Sequence, residues 1–341
     1  MTADAADKGD GTDRRPFRLI QHALERAEPG DVIVLADGVY HQNIRSVRSG
    51  EPAAPITIQG SGGAVVHGDG SSGRIVEINH DHLVLDGFTV DGLVGDPSAR
   101  SSYRDKLVYV TPTEPGDYVI GCKILNLRLR NAGGEGVRLK LSKDCEIANN
   151  VITNVGVYDF QFAGGGKNGE GIYIGTSPRQ LDWNPDHRTD DSSRIHVHHN
   201  FIDTNANEGV NSKEGTHDLL IEFNTVTGQR DEDAAAVNIQ GDHTVVRFNE
   251  LRNNRGAGVR LGEGTPVGDG TPRGRHNSVY GNVLHDNAHS GVKIMADPQE
   301  LVCGNLVSGT SPAVRGVSSF DPTAPCPATT PTSPTVGHDR N

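Results

Sequence analysis

Ile221-Glu-Phe-Asn224 and Val246-Arg-Phe-Asn249 are one short phrase written twice, 25 residues apart. The same phrase, an apolar residue three places before an Asn, recurs as Ile147-Ala-Asn-Asn150, Val197-His-His-Asn200, Val279-Tyr-Gly-Asn282 and Val302-Cys-Gly-Asn305. The intervals between successive asparagines are 50, 24, 25, 33 and 23 residues. That is one unit of about two dozen residues, lengthened in places by loops. A second register runs beside it: Gly136-Val-Arg-Leu139, Gly171-Ile-Tyr-Ile174, Gly209-Val-Asn-Ser212, Ala236-Val-Asn-Ile239, Gly258-Val-Arg-Leu261 and Gly291-Val-Lys-Ile294. Two short strand registers and an Asn turn per period predict an all-β, right-handed parallel β-helix, with the Asn side chains stacked as a ladder. A β-propeller needs a longer period, and a leucine-rich repeat needs a signature that is absent.

Composition agrees with a solenoid. Hydrophobic residues are 34% of the 341 and aromatics 5%, enough for a narrow column of Val, Ile and Leu. The 43 glycines serve frequent turns. A net charge of −12 argues against nucleic acid as partner, and no apolar run is long enough to span a membrane. A monomer is expected. No leader is visible at Met1, so secretion requires a leader outside the numbered chain, and a cytoplasmic site stays open.

Three segments are expected. Residues 1–14 are polar and read as disordered, 15–310 as the β-helix, and 311–341 as a mobile Pro/Thr-rich tail. Within Phe17–Ala27, apolar residues fall at helical spacing up to Pro29-Gly30, which predicts a short capping helix over the first coil. Insertions near 93–116, 156–169, 175–194 and 262–276 are expected to wall a binding face. Cys303 ends the last coil and Cys326 lies in the tail; a bridge between them and free thiols are equally open readings.

Alternation along the second register sends Arg138, Tyr173, Asn211, Asn238, Arg260 and Lys293 outward on successive rungs. Lys140, Lys213 and Gln240 lie two residues further on, and Glu135, Glu170 and Glu208 form an acidic column three residues before. This predicts a groove whose cations bind a polyanion and whose stacked carboxylates hold a divalent metal, for which hard oxygens suit Ca2+. The alternative is a solvated face on which the glutamates pair with Arg138 and Lys213. A lysine serves as a base only if its neighbours depress its pKa. Tyr173 is a candidate acid, and Trp183, alone of its kind, stacks on a sugar or anchors its own loop. His196, His198 and His199 read as scattered strand residues; His217 and His243 read as stacked turn residues.

The run Pro29-Gly-Asp-Val-Ile-Val-Leu-Ala-Asp-Gly-Val-Tyr40, then Pro55-Ile-Thr-Ile58, Asn168-Gly-Glu-Gly-Ile-Tyr-Ile-Gly-Thr-Ser177, Glu208–Glu214 and Gly241-Asp-His243 resembles the family-6 polysaccharide lyases, β-helix enzymes of the chondroitinase-B and alginate-lyase type. The resemblance implies eliminative cleavage of a uronic-acid polysaccharide, with Lys213 as base five residues after Glu208. It also implies calcium held by Glu208 with Glu170 or Asn168, and Arg260 or Arg138 as a substrate clamp. Asn211, Asn238, Gln240, Lys293 and Trp183 would complete the substrate-binding set. Two positions depart from the family pattern: a calcium-binding Glu falls on Ala206, and an Arg falls on Gln240. These losses fit a divergent member or an inactive homologue. A glycan-binding β-helix, an epimerase and a glycoside hydrolase using Asp231, Glu232 and Asp233 remain alternatives.

Overall fold

In a computed structural model, residues 9–164, 168–263, 273–317 and 319–328 are described. Three ten-stranded sheets, every pairing parallel, run the length of the chain. They start at Val32–Val34, Gly38–His41 and Ile44–Arg45, and end at Leu301–Cys303, Leu306–Ser308 and Val314–Gly316. Each coil gives one strand to each sheet, which is the expected parallel β-helix; crossovers between parallel strands take the right-handed path.

The interior is the expected aliphatic column. Val137, Ile172, Val210, Val237, Val259 and Val292 pair in successive registers and are fully buried. The Asn ladder forms as the repeat predicts. Nδ2 of Asn150 donates to Oδ1 of Asn200 at 2.9 Å, and Asn200 donates in turn to Asn224, Asn224 to Asn249, Asn249 to Asn282 and Asn282 to Asn305, all at 2.9–3.0 Å. Each ladder residue also takes up main-chain groups that the turn strips of sheet partners. Asn224, for example, donates to the Val197 and Glu222 carbonyls.

The capping helix is Ile20–Leu24, with Ile20, Ala23 and Leu24 buried against the first coil. Residues 1–8 of the expected disordered segment lie outside the described residues, while Thr12 and Arg15 form a small bridge. The stack does not end at 310. Val314–Gly316 pairs with Ser290–Ile294, and Cys303 is bonded to Cys326, so residues 319–328 return to the last coil. Hydrophobic pairing in register carries the chain on, despite its Pro/Thr composition. Residues 329–341 lie outside the described residues.

Candidate functional site: a polar trough on the third sheet

The third sheet carries Arg138, Tyr173, Asn211, Asn238, Arg260 and Lys293 as direct cross-strand partners, one per rung. Tyr173, Asn211, Asn238 and Arg260 floor a trough of about 320 Å³. Glu170, Glu208, Lys213 and Gln240 line it beside them, and Asn168, Ser177, Arg179 and Gln180 come from the insertions. Glu208 and Lys213 thus face the same trough from the two ends of the strand Val210–Ser212, an outcome that strict alternation over their odd spacing does not give. The backbone there is held tightly. Lys213 N donates to the Ile174 carbonyl at 2.9 Å, and the Lys213 carbonyl accepts from Thr216 N and Oγ1 at 3.0 and 2.7 Å. Gly175 sits opposite at φ +91°, where a Cβ would fall 2.6 Å from Thr216 Cγ2 and 3.2 Å from Lys213 Cβ.

Lys213 is half-buried, with Nζ 5.1 Å from the centre of the Tyr173 ring. Among the described residues Nζ has no hydrogen-bond or ion-pair partner. Tyr173 is buried beneath two cations, with the Arg138 guanidinium 4.0 Å from its ring centre. Burial raises its phenol above the ordinary value, against the pull of Arg138, so it holds its proton at neutral pH.

The three acids expected to act as one column divide. Glu135 accepts from Arg138 Nη1 at 2.7 Å and lies 3.0 Å from Lys106 Nζ. Burial pushes its carboxyl up, but Lys106 and Arg138 overcome that and hold it at about 2. Glu170 has no such partner. Burial, then the charges of Glu208 and Glu135, push it to about 8, with Lys213 opposing. Glu208 is raised too, by burial, again against Lys213. Glu170 Oε1 accepts from Asn211 Nδ2 at 3.3 Å and Glu208 Oε1 from Asn238 Nδ2 at 2.9 Å.

Among the described residues, Glu208 Oε2, Asn211 Oδ1, Asn238 Oδ1 and Gln240 Oε1 have no donor, on side chains at most 4% exposed. The lining also holds five carboxylates (Glu170, Glu208, Asp231, Asp233, Glu263) against three cations (Arg179, Lys213, Arg260), a formal charge of −2. Hard oxygens in an acidic setting are the donor type a calcium-sized cation takes, but among the described residues no three or more Asp, Glu, His or Cys are gathered as a metal site. Asn168 fits it less well as a ligand, because its amide is turned to Asp159 Oδ2 at 3.1 Å. Ala206 is fully buried against Gly156, where a Cβ would fall 2.4 Å from its methyl, and it does not line the trough.

Several expectations are corrected. The groove is not a cationic face. Lys140 is buried beneath the 175–194 insertion, its Nζ donating to the Trp183 carbonyl at 3.1 Å, and burial pushes it down to about 8. Lys293 does not line the trough; its Nζ donates to the Asp233 carbonyl at 3.2 Å, because it stands one rung beyond Arg260. Arg138 and Trp183 line a separate pocket next to the trough. His217 registers with Asp242 rather than His243, whose ring stacks on His276 at 5.2 Å. Asp231 and Asp233 do reach the trough, while Glu232 is paired with Arg255.

Lys106 and Glu263 carry roles the repeat did not disclose. Glu263 accepts from Gln240 Nε2 and pairs with Arg260 at 3.0 Å, tying Gln240 to the guanidinium one rung on. The only signal was position: Glu263 opens the insertion that follows Gly258-Val-Arg-Leu261. Residues 264–272 of that insertion and 165–167 of another lie outside the described residues.

A stacked-coil solenoid with an acidic, amine-bearing trough along one sheet defines the class of protein. Residues 115–318 match the family described as Right handed beta helix region, and the chain belongs to it. Among solved structures, an alginate lyase from Paenibacillus sp. str. FPU-7 superposes with a TM-score of 0.67 at 21% identity, over 87% of this chain and 94% of that one. The pectate lyase Pel9A gives 0.59 at 12% identity over 96% and 80%, and a GH136 lacto-N-biosidase from Eubacterium ramulus 0.60 at 12% over 95% and 67%. At such identities the likeness is one of fold. The uncharacterized protein YwoF of Bacillus subtilis (strain 168) is 26% identical over 101 residues, 27% of this chain and 22% of that protein's length.

Proposed function

We propose that the chain is a polysaccharide lyase that cleaves a uronic-acid-containing polysaccharide by β-elimination, as a divergent member of the family-6 type. The observation that carries this reading is Lys213: an amine without a partner among the described residues, in a trough beside two carboxylates that burial leaves short of positive charge. In its free-base form, Lys213 Nζ takes the proton from the sugar carbon next to the uronate carboxyl. The electron pair forms the ring double bond, and the bond from the neighbouring carbon to the glycosidic oxygen breaks. Tyr173, which burial keeps protonated, supplies the proton to the leaving oxygen. Arg260 and Arg179 supply charge to orient the uronate carboxylate, and Asn211, Asn238 and Gln240 supply amide hydrogen bonds. Calcium held by Glu208, Glu170 and the Asn211 and Asn238 oxygens would neutralise the uronate carboxylate and so acidify the neighbouring carbon.

Such a polymer lies outside cells, and the Cys303–Cys326 bond supports a protein that matures in an oxidising compartment. The test is to incubate the protein with alginate, polygalacturonate and glycosaminoglycans and follow ultraviolet absorbance of an unsaturated product. Lys213→Ala should cut that rate by at least about 100-fold while the fold is retained. Comparable rates in this variant and the wild type would remove Lys213 from the reaction.

One observation favours a second reading. A carboxyl held protonated to about 8, Glu170, shares the trough with Asp231 and Asp233, which is the arrangement of acid and carboxylate used in glycoside hydrolysis. That reaction would give new reducing ends without ultraviolet absorbance, and Glu170→Gln would abolish it.

A further inference from the structure

Next to the trough, on the side of the earlier coils, lies a second pocket of about 240 Å³. The two share Asn168 and Gln180 in their linings. Gln180 Oε1 accepts from Arg138 Nη2 at 3.3 Å, so one bond across the sheet stands between the spaces. The walls are aromatic on both sides. Trp183, 68% exposed, stands on the 3-10 turn Pro178–Trp183. Tyr158 belongs to another insertion, its hydroxyl donating to the Tyr103 carbonyl at 2.6 Å. Its ring lies against Gly133, where a Cβ would fall 2.3 Å from the ring, so a larger residue there would expel it. Arg100 lies 4.0 Å over the Tyr158 ring and has no ion pair among the described residues.

The pocket's charge differs from the trough's. Arg100, Lys106 and Arg138 offset Asp105, Glu135 and Asp159, a formal sum of zero. Arg138, 5% exposed, has a buried Nε with no acceptor. A large exposed indole and, beside it, the Arg100 guanidinium are what a pyranose takes: an apolar face to stack and a donor for its hydroxyls. Rungs about 4.8 Å apart also place successive sugars over successive strands of the third sheet.

We propose that this pocket is a sugar subsite, and that a polysaccharide chain lying along the third sheet continues from the trough past Gln180 to stack on Trp183. The chain binds parallel to the solenoid axis. The trough at Lys213 receives the acidic unit at which the bond is cleaved, and the pocket reads hydroxyls and ring faces, accepting a neutral or an acidic unit. The assignment of the reacting unit rests on the lyase reading; the subsite itself does not.

Trp183 is the only tryptophan in the chain, so its emission reports this pocket alone. The experiment titrates Lys213→Ala, which is spared turnover, with oligouronates of two to six units and with neutral β-linked oligosaccharides of the same lengths, reading fluorescence and calorimetric heat together. The expected result is a saturable change in Trp183 emission with the longer oligomers and little with dimers. Arg100→Ala should weaken that binding, and Trp183→Ala should raise the calorimetric Kd of the longer oligomers about tenfold. Emission changes with neutral oligomers and none with oligouronates would leave the subsite standing and end the uronate reading. Oligouronate heat with flat emission, or no emission change with either class, would overturn the subsite, whatever the activity assays give.

Discussion

Glu170→Gln should make the protein more stable, and Glu135→Gln, one rung away, should make it less so. Glu170 is 2% exposed and its carboxyl titrates near 8, against an ordinary 4.5. Between those values the folded chain holds a proton that the unfolded chain has released. Stability therefore falls as pH rises through that window. A displacement of about 3.5 units at about 1.4 kcal/mol per unit sets an upper bound near 5 kcal/mol, and sharing the cost with Glu208 brings it to about 3–5 kcal/mol. A glutamine keeps one oxygen for Gly169 N, which Glu170 Oε2 now accepts at 3.0 Å, and its new amide can donate to the Asn211 oxygen that lacks a donor.

Glu135 has the opposite sign. Its carboxyl is held at about 2, so its contribution is complete above 4.5 and is lost as pH falls from there toward 2. At pH 7, Glu135→Gln leaves the buried Arg138 without its counter-charge and Lys106 with Asp105 alone, costing about 3–5 kcal/mol. The assay is urea unfolding of the three proteins at pH 5, 7 and 9 with chelator present. The gain in Glu170→Gln over wild type should be small at pH 5 and reach its full value at pH 9. Parallel stability profiles for wild type and Glu170→Gln from pH 5 to 9 would mean that Glu170 is ionised throughout, and the reasoning about the trough would be wrong.

Calcium at a hundred times its Kd should raise the unfolding free energy at pH 8 by about 2.7 kcal/mol, an increase that Glu208→Gln should largely remove; a calcium titration with no shift would exclude a resident ion. Asn224→Ala removes a ladder residue that donates to the Val197 carbonyl and accepts from Asn200 N at 3.0 Å, and should cost about 2–4 kcal/mol in urea unfolding. Cys326→Ser opens a loop with a sequence separation of 23 and should cost about 3.5 kcal/mol, with the tail between them becoming cleavable by added protease under native conditions.

The register of the third sheet was legible because two constraints coincide. A period-two alternation fixes which side chains face out, and a repeat of about two dozen residues fixes which of them stack. Arg138, Tyr173, Asn211, Asn238, Arg260 and Lys293 therefore fall on successive rungs as their spacing requires. The state of a charge on that lattice was not legible, because it is set by atoms outside the repeat. Glu135 and Glu170 occupy equivalent positions, yet one is held near 2 and the other near 8. The difference is the pair of cations at Glu135, Arg138 on its own strand and Lys106 from a neighbouring coil that the Val-x-Leu spacing does not single out, against the like charge of Glu208 beside Glu170. Lys140 shows the converse, since a lysine in good register is removed from the face when an insertion closes over it. A coil repeat supplies positions, and the insertions decide which of those positions keep water, protons or partners. For that reason Lys213, whose Nζ makes no hydrogen bond or ion pair among the described residues, is where chemistry on this sheet is to be sought.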